Sequence, residues 1–372
     1  MIMYDFAVIG AGMAGASIAA ELAPHARVLL LEAEDAPGYH ATGRSAAFWD
    51  ECYGGPGVVP LTLASGPYLR EHGFLTTRGA LHLGRAADRA AMDDFLATFA
   101  GTGATIERLG RDDIIRRVPG LRPDWIEAIH EPACADIDVA GLHQHYLGRA
   151  RRGGVEVVCR ARVGQLQREA GGWRIATAAG AEYRAARLIN AAGAWADGIA
   201  ALAGVRPLSI RPYRRTMAQL RVDPPAPADL PLVLDINGTF YFKPDGGRLW
   251  LSPHDEIPAE PGDAAPDEID IAIAIDRFEQ VTGWRIAAVE RRWAGLRSFA
   301  PDRLPVYGFD QAENAFFWFA GQGGFGIQTA PAAARLGAQL ALGLDADAMT
   351  QALDPAAYSP ARFAQERKLR SA

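Results

Sequence analysis

Residues Tyr4–Glu32 read YDFAVIGAGMAGASIAAELAPHARVLLLE, and the fold follows from this stretch. Tyr4–Ile9 is a short, nearly all-apolar run, the pattern of a strand buried on both faces. It enters Gly10-Ala-Gly12-Met-Ala-Gly15, then an Ala/Leu-rich helix that Pro24 stops. Arg27–Leu31 is a second buried strand, ending on Glu32. Strand, G-x-G-x-x-G, helix, strand and acid within one βαβ unit form the dinucleotide-binding fingerprint in its required context. Gly10 permits the tight turn, Gly12 lets a pyrophosphate approach the backbone, and Gly15 lets the helix sit close to the sheet. The helix N-terminus offers N–H groups and the positive end of its dipole to the phosphates. Glu32 is placed to accept the ribose hydroxyls of an adenosine and would repel a 2′-phosphate.

The 372 residues suffice for two domains or one elaborated domain. A formal charge of −6 argues against a nucleic-acid partner. No apolar run reaches the roughly 18–20 residues that span a bilayer, so no transmembrane segment is expected. The chain opens directly on a strand, so no signal peptide is expected. Cys52, Cys134 and Cys159 have no metal-binding spacing, and a reduced, cytoplasmic setting is the economical expectation. Only Lys243 and Lys368 are lysines, and there is no GxxxxGK[ST] loop, which narrows Schiff-base and P-loop chemistry to almost nothing. His143 and His145 face apart on a helix, which disfavours a metal there.

Pro37–Ala47 is a polar, glycine-punctuated loop that follows the strand bearing Glu32, which makes Arg44 and Ser45 candidate cofactor contacts. Helical periodicity covers Leu61–Glu71, Ala87–Phe99 and Ala140–Arg151. A period-two meander is expected over Val155–Arg160, Gln165–Arg168, Trp173–Thr177 and Tyr183–Ala185. It ends in Arg187-Leu-Ile-Asn-Ala-Ala-Gly193-Ala-Trp195, a buried strand entering a glycine turn. That turn lacks the G-x-G-x-x-G spacing, so Gly193 and Trp195 read as a further edge of the first ligand's site rather than a second nucleotide site. Residues 205–299 are Pro-rich, aromatic and strand-like. Near the other end, AFFWFA (315–320) and Gly321-Gln-Gly-Gly-Phe-Gly326 repeat the opening logic of strand, glycine turn and helix. Four glycines in six positions point to close approach of a ring or carboxylate at Gly323, Gly324 and Gly326.

The fingerprint with Glu32, the meander, the Asn-Ala-Ala-Gly-Ala-Trp turn, DRLPVYG (302–308) and the terminal Gly-rich helix occur in an order that resembles the D-amino-acid oxidase superfamily of FAD enzymes. GYHATGRSAA (38–47), GLRSF (295–299) and GQGGFGIQTA (321–330) are similar to bacterial FAD-dependent D-arginine dehydrogenases. The resemblance implies an α/β fold, with a Rossmann-like FAD-binding domain (1–47, 140–207 and 300–372) interleaved with a mixed-sheet α+β substrate domain (48–139 and 208–299). It implies non-covalent FAD, a small amino-acid substrate oxidised at its α-carbon to an imino acid, and a separate electron acceptor. The same site would serve a 2-hydroxy acid or an N-methylamino acid. By motif match, Arg297, Arg214 and Tyr241 hold the substrate carboxylate, with Gly324 offering a backbone group and Arg215 the alternative to Arg214. A helix beginning near Gly323–Gly326 would stabilise charge on the reduced flavin.

The residues make a separate case for this clamp. A guanidinium binds a carboxylate through two parallel hydrogen bonds, and Arg297 lies among Trp293, Leu296 and Phe299. The chain departs from relatives that take arginine, which carry a histidine at Phe48 and a carboxylate at Ala80. Phe48, Trp49 and Tyr53 indicate a more apolar pocket, with Asp50 or Glu51 as sources of compensating charge.

Overall fold

The computed structural model describes residues 2–46 and 48–364, so Ala47 and Lys368 lie outside the described residues. The opening apolar run forms the Met3–Ile9 strand inside an eight-stranded sheet. Parallel neighbours flank it, Glu182–Asn190 on one side and Val28–Leu31 on the other. Phe316–Ala320 continues the parallel set beside the last residues of Glu182–Asn190. These strands are apolar throughout because both faces are covered. The helices Met13–Leu22, Val139–Arg152 and Ala330–Leu342 build a core on one side, and Ala196–Leu202 belongs to the core on the other. The meander holds for Val163–Glu169, Gly172–Thr177 and Glu182–Asn190, which pair antiparallel in turn. Glu156–Val158 is not part of it. That strand lies parallel to Val28–Leu31 at the sheet edge, where it stays partly exposed instead of fully buried like the inner parallel strands.

A second, ten-stranded sheet carries the long antiparallel pair Arg211–Asp223 and Arg285–Phe299 near one edge. Its pairing register separates two faces, since directly opposed residues share a side. One face holds Leu81, Val233, Phe242, Leu251 and Ala218, which are covered by Ile271, Ala274 and Phe278 of the Glu268–Glu279 helix. The other face looks toward the first sheet's ligand edge and carries Ala80, His82, Leu234, Tyr241, Arg215 and Arg297. Arg214 therefore falls on the helix-covered side, where it pairs with Asp270 at 2.6 Å. The expectation that Arg214 joins Arg297 is corrected by one position, because a one-residue step along a strand reverses the side chain.

The terminal helix runs Ala330–Leu342, later than the glycines. Gly321 and Gly323 adopt φ of +73° and +53°, which no right-handed helix accommodates, so a turn intervenes.

Gly15 is the tightest contact of the fingerprint. A Cβ on it would lie 1.7 Å from the Gly10 carbonyl oxygen. Gly15→Ala is expected to push the helix off the sheet, lower the melting temperature and weaken cofactor retention. A variant that purifies with native cofactor content and native melting temperature would contradict this.

Candidate active site

The C-terminal ends of the parallel strands deliver three turns to one edge, the position where α/β sheets bind ligands. They surround a cleft of about 410 Å³. Gly10, Gly12, Glu32, Arg44, Ser45, Gly193, Trp195, Gly323, Gly324, Gly326 and Arg297 all line it. Gly10 has φ +98°, and a Cβ there would meet the Ala191 carbonyl oxygen at 2.6 Å, so the first and second glycine turns touch. Glu32 is fixed rather than swinging, because it accepts from Ala11 N at 2.9 Å and from Glu34 N at 3.0 Å. At the same end His40 pairs with Glu34 at 2.9 Å, and its ring lies 4.7 Å from that of Trp195.

Two contacts here were not anticipated. Thr42 Oγ1 accepts from Met13 N at 2.9 Å and so occupies one donor of the helix N-terminus. His143 Nε2 meets the Ala11 carbonyl at 2.9 Å, while His145 points away to Tyr68. Arg44 reaches the cleft wall, but its guanidinium is committed to Asp263 and to the carbonyls of Ala264 and Ala294. It straps the 255–267 loop to the cofactor-side loop instead of presenting its charge to a phosphate.

Beyond Arg297 the cleft adjoins a cavity of only about 10 Å³, lined by Ser45, Phe48, Tyr53, Tyr241, Arg297, Gly324 and Gln328, among others. This brings together every proposed substrate residue except Arg214. The Phe48 ring lies 5.6 Å from Tyr53 and 5.8 Å from Tyr241. A Cβ on Gly324 would stand 1.9 Å from the Tyr53 hydroxyl and 3.2 Å from Arg297 Nε, so only glycine fits. Arg297 Nε is buried and has no hydrogen-bond partner, which asks for an anion. Tyr241 donates to the Met217 thioether at 3.1 Å, a weak acceptor that a carboxylate can replace.

Arg215 takes the place expected of Arg214. It is 1% exposed, on the face of Arg297, and is held by Glu256 at 3.1 Å and the Asp255 carbonyl at 2.6 Å. Lys243 is tied to Asp136 at 2.6 Å and is not among the cleft-lining residues. Nothing in the sequence marks His254 as a site residue. Its ring meets Tyr241 edge-on at 5.4 Å, its Nδ1 is buried without a partner, and its φ is +56°. A Ser-Pro-His stretch gives no hint of this, since only tertiary contact creates it. Burial first, then the charges of Arg215 and Arg297, hold its imidazole down at about 2. It is neutral at working pH and is a poor proton acceptor.

Three comparisons bear on this geometry. A family model for the DAO group, FAD-dependent oxidoreductases, matches residues 5–340. The chain belongs to this family, and its cofactor is FAD. It is 29% identical over 265 residues to an L-2-hydroxyglutarate dehydrogenase of Salmonella houtenae, covering 68% of this chain and 60% of that protein. The chain thus spans about three-fifths of the length of that curated relative. Among solved structures, an iminodiacetate oxidase from Chelativorans sp. BNC1 is 26% identical with a TM-score of 0.77, covering 95% of this chain and 98% of that one. L-proline dehydrogenase from P. horikoshii shares the fold, with a TM-score of 0.85 at 22% identity, covering 98% of each chain. No helix among the described residues is long and apolar enough to cross a membrane.

The lowered His254 value has a consequence for stability. Unfolding frees the ring to bind a proton below about pH 6.5, so the unfolded state holds more protons and stability falls as pH drops through that window. In His254→Asn, the loss of melting temperature between about pH 7 and about pH 5 should be smaller than in the native protein. An identical loss would show that the ring titrates normally.

Proposed function

We propose that the chain oxidises a small 2-amino acid of D configuration at its α-carbon, giving an imino acid that water hydrolyses to a 2-oxo acid and ammonia. The observation that carries this is Arg297. Its guanidinium spans the cofactor cleft and the small cavity, and its buried Nε lacks a partner.

The residues present fit FAD. Fixed Glu32 and the three glycine turns would hold the nucleotide and pyrophosphate, and Gly323, Gly324 and Ser45 would lie along the ring. Among the cleft-lining residues there is no cysteine, and the one histidine is engaged by Glu34, which supports non-covalent attachment. When bound, FAD supplies a hydride acceptor.

The chain's own residues do the rest. Arg297 takes the carboxylate through paired hydrogen bonds, and Tyr53, Tyr241 and the Gly324 backbone fix its orientation. The aromatic wall of Phe48, Tyr53 and Tyr241 excludes water and leaves little room for a side chain. With His254 held neutral and Lys243 ion-paired, the residues around the cavity include no evident base, so the substrate enters with its amine already neutral. D configuration and kinship with D-arginine dehydrogenases rest on the resemblance of the segments around Gly38, Gly295 and Gly321.

A second reading, a 2-hydroxy acid, is favoured by the relatives named L-2-hydroxyglutarate dehydrogenase, because the same clamp serves any 2-substituted acid. An N-substituted amino acid fits by the same argument, and an iminodiacetate oxidase is among the similar structures. Anaerobic bleaching of the flavin by a panel of small D- and L-amino acids, sarcosine, proline and 2-hydroxy acids separates these readings. Bleaching by a D-amino acid supports the first, and bleaching by hydroxy acids alone replaces it with the second. A flavin that none of them bleaches would favour a binding or regulatory role.

Arg297→Met is expected to raise KM by about 30- to 1000-fold, or about 2–4 kcal/mol of charged hydrogen bonds. An unchanged KM would remove Arg297 from the site. The matching Arg214→Met should leave KM nearly unchanged, since that side chain serves Asp270 on the opposite face.

A further inference from the structure

Behind the Tyr53 ring lies a polar cluster that substrate and cofactor binding do not use. Asp50 and Glu131 are each 1% exposed and His82 is 8% exposed. They come from three segments: the loop after the Phe48–Trp49 strand, the Ala80–Arg85 strand and the Trp125–Glu131 strand. One side-chain donor or acceptor atom of each lies within 4.8 Å of the others. His82 Nε2 meets Glu131 Oε1 at 2.6 Å. Asp50 Oδ1 accepts from Cys52 N and Tyr53 N, each at 2.9 Å, and Glu131 Oε2 accepts from Cys52 N at 3.2 Å.

We propose that Asp50, Glu131 and His82 form a buried, proton-sharing clamp that sets the position of Tyr53. The inference rests on the reading of Tyr53 as a substrate contact.

Among the described residues, neither carboxylate has an arginine or lysine partner, and their ion pairing is limited to His82 with Glu131. The other titratable groups around them are Glu51, Cys52, Cys134, Asp235 and, next to His82, His254, which burial holds neutral, so none brings positive charge. Lys243 is the nearest lysine and is taken by Asp136. Two carboxylates this close and this dry do not both ionise, so one proton lies between them. Burial pushes both carboxyls up and keeps His82 neutral, which leaves its Nε2–H to donate to Glu131. With the proton in place, Asp50 spends its free oxygen on the two loop amides. Without it, the carboxylates repel and the loop loses its anchor.

Gln328 braces the same loop from the glycine-rich turn. It donates to the carbonyls of Asp50 and Tyr53 and to Thr62 Oγ1, and accepts from Asp50 N. Precision matters because the Tyr53 hydroxyl rests against the Gly324 Cα, where not even a methyl fits.

The test compares Asp50→Asn and Asp50→Ala in the FAD-loaded enzyme. Asn reproduces the protonated acid, since its oxygen accepts from Cys52 N and Tyr53 N while its amide donates to Glu131. Ala removes the acceptor. Hydrogen exchange of the Cys52 and Tyr53 amides should stay native in the Asn variant and quicken by about tenfold or more in the Ala variant. With a bleaching substrate in hand, Ala should raise KM about tenfold or more with little change in the saturated rate of flavin reduction. The native KM should climb on the alkaline side, as the shared proton leaves, and the Asn variant should not share that climb.

Native exchange in both variants overturns the clamp, as does an Asn variant that behaves like Ala. So does one equivalent of a divalent cation in the native protein that disappears in Asp50→Asn. Fast exchange with an unchanged KM upholds the clamp and instead removes Tyr53 from substrate contact. If the Ala variant does not fold, the alkaline profile of the isosteric Asn variant decides alone.

Discussion

Three parallel strands end side by side, and each leaves the sheet through glycine. Met3–Ile9, Glu182–Asn190 and Phe316–Ala320 are neighbours in one ladder. Because the strands run side by side in one direction, the turns after Ile9, Asn190 and Ala320 meet over a single cleft. The constraint is steric before it is electrostatic. A side chain at Gly10 would strike the Ala191 carbonyl, and one at Gly15 would strike Gly10 itself. The first two turns can approach this closely only while position 10 has no side chain, and the cleft forms where they meet. Everything that binds there inherits its position from backbone contacts.

That dependence explains what was legible in the sequence. Motifs whose meaning lies in local backbone geometry could be read directly: Gly10–Gly15, the Asn190–Trp195 turn and the Gly321–Gly326 turn each fell where their spacing implied. Side chains on strands were less legible, because a face depends on the partner's register as well as on alternation. Arg214 and Arg215 are adjacent and chemically identical, and only the pairing of Tyr213 with Arg297 decides which of them faces the cleft. His254, Thr42 and the Asp50–Glu131–His82 cluster left no signal in the sequence. Each acquires meaning from residues dozens to hundreds of positions away.

Charge around the cleft is nearly all spoken for within the chain. Glu256 bridges Arg215 and Arg303, Asp136 neutralises Lys243 together with Arg78, and Asp263 holds Arg44. Of the cations on the cleft-facing side, Arg297 stands apart, with a buried nitrogen left over. A buried donor left unpaired is costly, and its retention between two cavities makes sense if an anion arrives from outside. Arg215 has a different part. Pinned by Glu256, it adds positive potential beside Tyr241 and His254, which reinforces the burial that keeps that imidazole neutral.

Under the proposed function, a substrate held by its carboxylate at Arg297 would meet only carboxylates already engaged. Position 80 is alanine, and its cross-strand partner is Glu131. A carboxylate is therefore present one strand over, but it is hydrogen-bonded to His82 and to the Cys52 amide and offers no free charge. Asp50 is spent on the Tyr53 loop, and Asp136 on Lys243 and Arg78. A cationic side chain would have to displace one of these internal partners, and breaking a buried pair costs about 3–5 kcal/mol. What remains in front of those carboxylates is the aromatic face of Phe48, Tyr53 and Tyr241. Such a wall gains by excluding water from an apolar group, and it offers a cation only a cation–π contact of about 0.5–2 kcal/mol, less than the pair that would have to break. Under the proposed function, the one strong polar demand would be a carboxylate at Arg297, and discrimination beyond it would rest on size and dryness.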